Sequence, residues 1–327
     1  MNHPKQVQQQ LFSQIKSVLP GNLSFADEMA ELLQISPDSA YRRIRGETLL
    51  TLDEMMLLCS KYAISMDSLM HINGNSLVFT GQQIDFDNFE LEAHLTYILQ
   101  QLQMLTTSPN GRMYYLAKDV PVFHYFQFAE LAAFKFFAWL KTLLRHPDNG
   151  NKKFVLSESV NERWQNLSEQ IWSTYAQINA EEIWSAETIN STIRQIEYCR
   201  EAMLFDSEET VQLLYGQLLQ MLDRIESQAA NGYKTTDQKG PGGAFQLYYN
   251  GALLGDNTIL MQLGDARRVF INHGILNYIN TGDDNFCNYT FASLQNIIQK
   301  STQLSKVGEK ERNKFFNVMR NKIERHK

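Results

Sequence analysis

At 327 residues the chain is long enough for two or three domains with real cores, and 43% hydrophobic with 20% charged residues is the composition of an ordinary globular protein. The formal net charge is −6, and the three cysteines, Cys59, Cys199 and Cys287, stand far apart without metal-ligand spacing. That usage excludes a disulfide scaffold and reads as a reducing, cytoplasmic interior. The opening MNHPKQVQQQLF has no apolar run, so no signal peptide is expected. Val7, Leu11, Ile15 and Val18 recur at helical spacing and predict a lead helix that Pro20-Gly21 ends.

Three more helices are expected between Ser24 and Tyr62. The first takes Ser24 as N-cap, places Asp27 and Glu28 in its first turn, and turns Phe25, Met29, Leu32 and Leu33 inward. Gln34-Ile35-Ser36-Pro37-Asp38 breaks and restarts the chain: Ser36 is a good cap, and Pro37 at the first helical position loses no hydrogen bond. The second helix is short, Asp38 to Arg45, and Gly46 closes it. The third starts at the cap Thr51, with Leu52, Met55, Met56, Cys59 and Tyr62 inward. Two helices joined by so tight a turn form a helix-turn-helix, whose second member fits a DNA major groove. Tyr41, Arg42, Arg43 and Arg45 crowd that second helix, leaving only Ala40 and Ile44 to pack, and guanidinium forks suit guanine edges and phosphates.

The run Met29 to Gly46, MAELLQISPDSAYRRIRG, resembles the lambda-repressor/Cro-type helix-turn-helix, the XRE family, and Leu52 to Cys59 and Ile64 to Leu69 are similar to that family's fourth helix and the start of its fifth. The resemblance implies a five-helix DNA-binding domain over residues 1–72. It places Ala30 at a helix crossing, Ile35 in the buried turn, and Ser36, Asp38, Ser39, Arg42 and Arg45 where bases and phosphates are met. Gln34 stands where a glycine is usual, and Arg43 where an apolar or aromatic residue is common. Expected at the groove are Ser36, Asp38, Tyr41, Arg42 and Arg45, with Arg43 and Lys61 on phosphates. One such domain makes a small interface, so a homodimer on two half-sites of double-stranded DNA is expected. The charge argues the other way: residues 1–71 carry 6 Lys and Arg against 8 Asp and Glu, net −2, whereas DNA-binding domains are usually basic.

Beyond the joint marked by Gly74, Asn75 and Gly81, a mainly helical body is expected over 73–235. A helix at about Phe89 to Leu105 ends at Ser108-Pro109-Asn110-Gly111. Val120 to Leu144 is the most apolar stretch, but Glu130, Lys135 and Lys141 interrupt it as a bilayer would not tolerate, so it reads as core and no membrane partner is expected. His124 within it reads as a satisfied core histidine. Three helices follow between Val160 and Ala230, with Ser185 and Ser207 as caps of the second and third, in a bundle or stack of helical hairpins. Asn231 to Gly243 reads as a loop.

Residues 236–327 change period. Phe245 to Tyr249 leads into the hairpin signal Asn250-Gly251, and Thr258–Leu263, Arg268–Ile279 and Phe286–Phe291 are rich in β-branched and aromatic residues, so a small antiparallel sheet is expected, closed by helices at about Ala292–Leu304 and Glu309–Glu324. The last 22 residues hold 8 Lys and Arg and 3 Asp and Glu, and read as a solvated helix or one laid on the acidic middle of the chain. No phosphate loop, zinc motif or nucleophile elbow occurs, so neither a cofactor nor an enzyme is expected. The whole reads as a mainly α DNA-binding regulator whose later regions sense a small-molecule or protein effector. A scaffold that docks proteins through its helix-turn-helix, and an enzyme with a site around His273, Asp283 and Asp284, are the alternatives.

Overall fold

The computed structural model of the chain describes residues 4–18, 24–62, 64–66, 69, 77–81, 89–143, 152–235, 240–252, 255–274 and 276–327. It divides into two compact units, Met1–Phe79 and Thr80–Lys327. The Pro20-Gly21 stop, most of the expected fifth helix and the joint at 72–76 lie outside the described residues.

The first unit is built from α1 (Pro4–Val18), α2 (Phe25–Leu33), α3 (Pro37–Ile44) and α4 (Leu52–Lys61). Val7, Leu11, Phe12 and Ile15 of α1 meet Met29, Ala30 and Leu33 of α2, Ala40 of α3, Leu58 and Cys59 of α4, and Leu69 in one buried cluster. Helix ends follow from their capping chemistry. Ser36 accepts from the Ser39 N–H, and Thr51 and Glu54 form a reciprocal capping box. Gln34 takes the left-handed conformation, φ 54°, that glycine would occupy more cheaply. Leu52 and Met56, expected inward, are 64% and 55% exposed, because the buried side of α4 is centred on Leu58 and Cys59.

The second unit differs from the sequence expectation. A mixed nine-stranded sheet replaces the small antiparallel one and recruits strands from the stretch read as helical. Its centre is parallel: β2 (Arg112–Ala117) pairs with β3 (Asn179–Trp184), and β3 with β5 (Pro241–Tyr249). Beside β2 runs an antiparallel meander of β6 (Thr258–Leu263), β7 (Ala266–Asn272) and β8 (Tyr278–Thr281), with β1 (Thr80–Gly81) at its edge. On the other flank β4 (Tyr233–Thr235) and β9 (Thr302–Gln303) both pair with β5. The expected 231–243 loop therefore contributes two strands. Asn250-Gly251 is no hairpin either, since β5 and β6 are separated by β3 and β2; the tight hairpin is at Gly264-Asp265, where Leu263 pairs with Ala266 and Gly264 takes φ 63°.

Helices α5 (Leu91–Thr107), α6 (Ala129–Leu143), α7 (Leu156–Ser159), α8 (Glu162–Gln177), α9 (Asn190–Glu201) and α10 (Glu208–Asn231) complete the crossovers, with a short 3-10 helix at Val122–Gln127. Strand alternation sorts the layers. Met113, Tyr115 and Ala117 of β2 join the main core with α5, α6, α8, α9 and α10, while Tyr114 faces a second cluster containing Cys287 and Leu294 of α11 (Asp284–Gln299). Phe286–Phe291, expected as strand, is thus the start of α11, capped by Asp283, whose carboxylate accepts from the Phe286 N–H at 2.8 Å. Ser185 does not cap α9, which starts at Asn190; Ser207 does cap α10. The basic C-terminal helix α12 (Glu309–Glu324) is not simply solvated: Arg320 pairs with Asp223 and Glu226 of α10, and Lys322 with Glu187. Among the described residues no helix is long and apolar enough to cross a membrane.

Candidate functional site

The residues expected to meet DNA fall into three groups. Asp38, Tyr41, Arg42 and Arg45 are exposed and spaced three or four apart, so they share one side of α3 and its C-cap. Eight residues make α3 about 12 Å long, one short rod of polar chemistry. Glu47 sits among these arginines, 3.0 Å from Arg45 and 3.9 Å from Arg42; pairs this exposed are weak and exchange readily. Ser36 and Ser39 hold the helix start, where the Ser36 hydroxyl donates to Ser39 Oγ at 3.0 Å and accepts from its N–H.

Arg43 is turned inward. It pairs with Glu54 at 2.7 Å, both side chains being about five-sixths buried, and donates to the Ser39 carbonyl. Burial pushes the Glu54 carboxyl up, but hydrogen bonds from Arg43 and from the Thr51 N–H outweigh it, so the group sits below its ordinary value. Lys61 is exposed in the last turn of α4, about 10 Å along the axis from Glu54, and is not gathered with the arginines. One contributor gave no sequence signal. Gln8 of α1 is 3% exposed, donates to the carbonyls of Arg43 and Thr48 at 2.6 and 2.9 Å, and accepts from the Leu50 N–H at 2.8 Å. It fastens the segment that leaves α3, and a glutamine among other glutamines carries no pattern that distinguishes it.

The second unit contains a cavity of about 570 Å³ between α5, the helix-side face of the sheet, and α6 with α9. Aromatic and aliphatic side chains such as Phe123, Trp139, Met261 and Phe270 make most of its wall. Polar side chains share it, from the N-cap Glu90 and Gln101 of α5 to Ser191 and Asn272. Tyr115 and Tyr278 join their hydroxyls at 3.3 Å, and Asn257 accepts from the N–H groups of Lys118 and Asp119, fixing the turn that brings Asp119 to the wall. His94 of α5 lines it too, and burial drives its pKa down to about 4, so the ring is neutral near pH 7. Lys135 of α6 is 5% exposed and lowered by burial to about 8. It donates to Gln195 Oε1 at 2.7 Å and Thr192 Oγ1 at 3.3 Å and lies over the Tyr125 ring. Among the described residues no carboxylate makes an ion pair with it.

Behind the cavity wall lies a sealed polar cluster. Glu182 of β3, His124 and Lys234 are each 0% exposed. The Tyr175 hydroxyl and the Trp184 N–H (2.8 Å) donate to Glu182, and His124 Nε2 lies 3.0 and 3.2 Å from its two oxygens. Burial raises the Glu182 carboxyl, yet its neighbours, His124 foremost, bring it below its ordinary value. An ionised carboxylate only accepts, so His124 must donate through Nε2–H. Lys234 lies over the Tyr175 ring, and burial lowers it to about 7 against the pull of Glu182. Enclosed from solvent, these groups tie the 3-10 helix, α8, β3 and β4 together. His273 is exposed and is not itself in the cavity wall, although Asn272 and Gly274 on either side of it are, and Asp283 is engaged as a helix cap.

Compared with known proteins, the chain matches no family model, no curated protein and no solved structure.

Proposed function

We propose that the protein is a sequence-specific DNA-binding regulator acting as a cytoplasmic homodimer, its second unit receiving a small-molecule or protein signal. The observation that carries this reading is the two-sided character of α3. Asp38, Tyr41, Arg42 and Arg45 are exposed on one side, the two arginines paired only with the exposed Glu47, while Ala40, the Arg43–Glu54 pair and the Gln8 clamp hold the other. A short helix held this firmly, with two guanidinium forks outward, suits bidentate contact with guanine edges and phosphates. In this reading Arg43 positions the helix, and Lys61 is left for a phosphate at a distance.

The test is binding to labelled mixed-sequence duplex DNA across a salt series. Wild type should bind with a steep salt slope, and Arg42→Ala/Arg45→Ala should lose about tenfold or more and flatten the slope by roughly 2. Glu47→Gln should raise affinity severalfold, since it frees both arginines. Equal binding by wild type and the double variant would end the reading. A protein-docking role is favoured by one feature, the exposed Leu49, Leu52, Met56 and Leu57 around the start of α4; retention of DNA binding after Leu52→Gln/Met56→Gln would separate that face from the DNA face.

A further inference from the structure

Within the second unit, the cavity has the size of a site for a drug- or metabolite-sized molecule and the composition of one: apolar walls with placed polar groups. Its charges narrow the chemistry. Among the described residues Lys135 is the one buried cation of the wall; it bonds only neutral oxygens, and the Asp119 carboxylate acts on it without an ion pair. An entirely apolar ligand would cover that ammonium without offering it an acceptor, which burial of a charge disfavours. A cation would face the ammonium directly. His94 is neutral and cannot help hold a second negative charge, while Asp119 and, at the outer end, Glu90 repel one. Asp119 instead offers an acceptor for a ligand hydroxyl, amide or amine.

We propose that this cavity binds a small organic acid with a single carboxylate seated against Lys135 and Gln195, an aromatic or similarly apolar body along Trp139, Met261 and Phe270, and a hydrogen-bond donor directed to Asp119. Lys135 gains an anion in direct contact, whereas Asp119 acts on it without an ion pair, and the aromatic wall supplies most of the buried area. That the acid acts as an effector rests on the regulatory reading above; that it binds does not.

The experiment uses the full chain without DNA and the fluorescent probe 6-hydroxy-2-naphthoate, which carries one carboxylate, one hydroxyl donor and a two-ring body, beside its primary amide. The wild type should hold the acid about tenfold or more tightly than the amide. Gln195→Glu gives Lys135 an internal carboxylate without removing volume, so it should fold as wild type and cut the acid's affinity about tenfold while sparing the amide. Lys135→Met should bring acid and amide within about twofold of each other. Equal affinities of acid and amide for wild type, an acid preference that survives Gln195→Glu, or no binding of the acid below about 1 mM would each overturn the proposal.

Discussion

Arg43 in the first unit and Lys135 in the second are both cations on the buried side of a helix, and they differ in what faces them. Arg43 has Glu54 at 2.7 Å, and that carboxylate also completes the α4 capping box, so charge, cap and helix packing support one another. Lys135 bonds only Gln195 and Thr192 and lies over the Tyr125 ring, while the Asp119 carboxylate on the same cavity wall acts on it without an ion pair. Lys234, a few elements away, also feels a carboxylate, Glu182, without a direct ion pair among the described residues, but its ammonium is sealed in and donates to the Ile178 carbonyl. The contrast teaches how to sort buried charge: a cation in direct contact with a protein anion, or sealed from any opening, holds the fold, and one on a cavity wall with no anion in direct contact is open to a ligand.

The largest expected effect lies in the sealed cluster. Glu182→Gln leaves His124 and Lys234 without their anion and should cost about 3–5 kcal/mol. Urea unfolding followed by tryptophan fluorescence reads the second unit alone, because all four tryptophans, Trp139, Trp164, Trp172 and Trp184, lie in it. Adding Lys234→Met should recover part of the loss; a single-variant cost below about 1 kcal/mol would show that the cluster is no structural tie.

Next in size is a pH effect. His94 titrates near 4 in the folded unit and near 6.5 unfolded, so the unfolded chain binds more protons between those values. Stability of the second unit should therefore rise with pH from 4 to 6.5, by up to about 3 kcal/mol from this group. His94→Phe should flatten that part of the profile, and an unchanged slope would contradict the burial of the ring. Lys135 has the same sign at the alkaline end, gaining stability from about pH 8 towards 10.5.

In the first unit, Glu54→Gln should cost about 1–3 kcal/mol, combining a weakened cap with an uncompensated Arg43. A double-mutant cycle with Arg43→Met, read by hydrogen exchange of α3 and α4 amides, should give a coupling above about 1 kcal/mol. No coupling would place Arg43 among the solvent-facing arginines. The smallest effect is Gln34→Gly, which relieves a left-handed side-chain-bearing residue and should stabilise the α2–α3 turn by up to about 1 kcal/mol. A loss of stability would mean that the Gln34 side chain is itself used.

The first unit was legible in the residues because its determinants are local. Ser36-Pro37 and Thr51 with Glu54 start helices wherever they occur, and heptad-like spacing in α1 and α2 selects the buried side. Even there α4 was rotated from expectation, since Leu52 and Met56 are as apolar as Leu58 and only the neighbouring helices choose between them. In the second unit the cap Ser207 and the end of α5 were equally readable, whereas the cap expected at Ser185 and the sheet were not. Parallel strands β2, β3 and β5 find one another across about 60 residues each; short apolar runs between helices look like helix, and Asn250-Gly251 looks like a hairpin until β3 is known to stand beside β5. Lys135 announced itself only as a charge within an apolar run. Whether that charge meets an anion, a solvent shell or an open cavity is fixed by residues 16 to 142 positions away, from Asp119 to Met261, Phe270 and Asn277, and so by tertiary structure alone. Local residue patterns marked most of the helices, though not where α9 and α11 begin; the assembly of distant strands decided where a cavity and a buried charge could coexist, because burial and field at a point sum over neighbours that the chain order does not hold together.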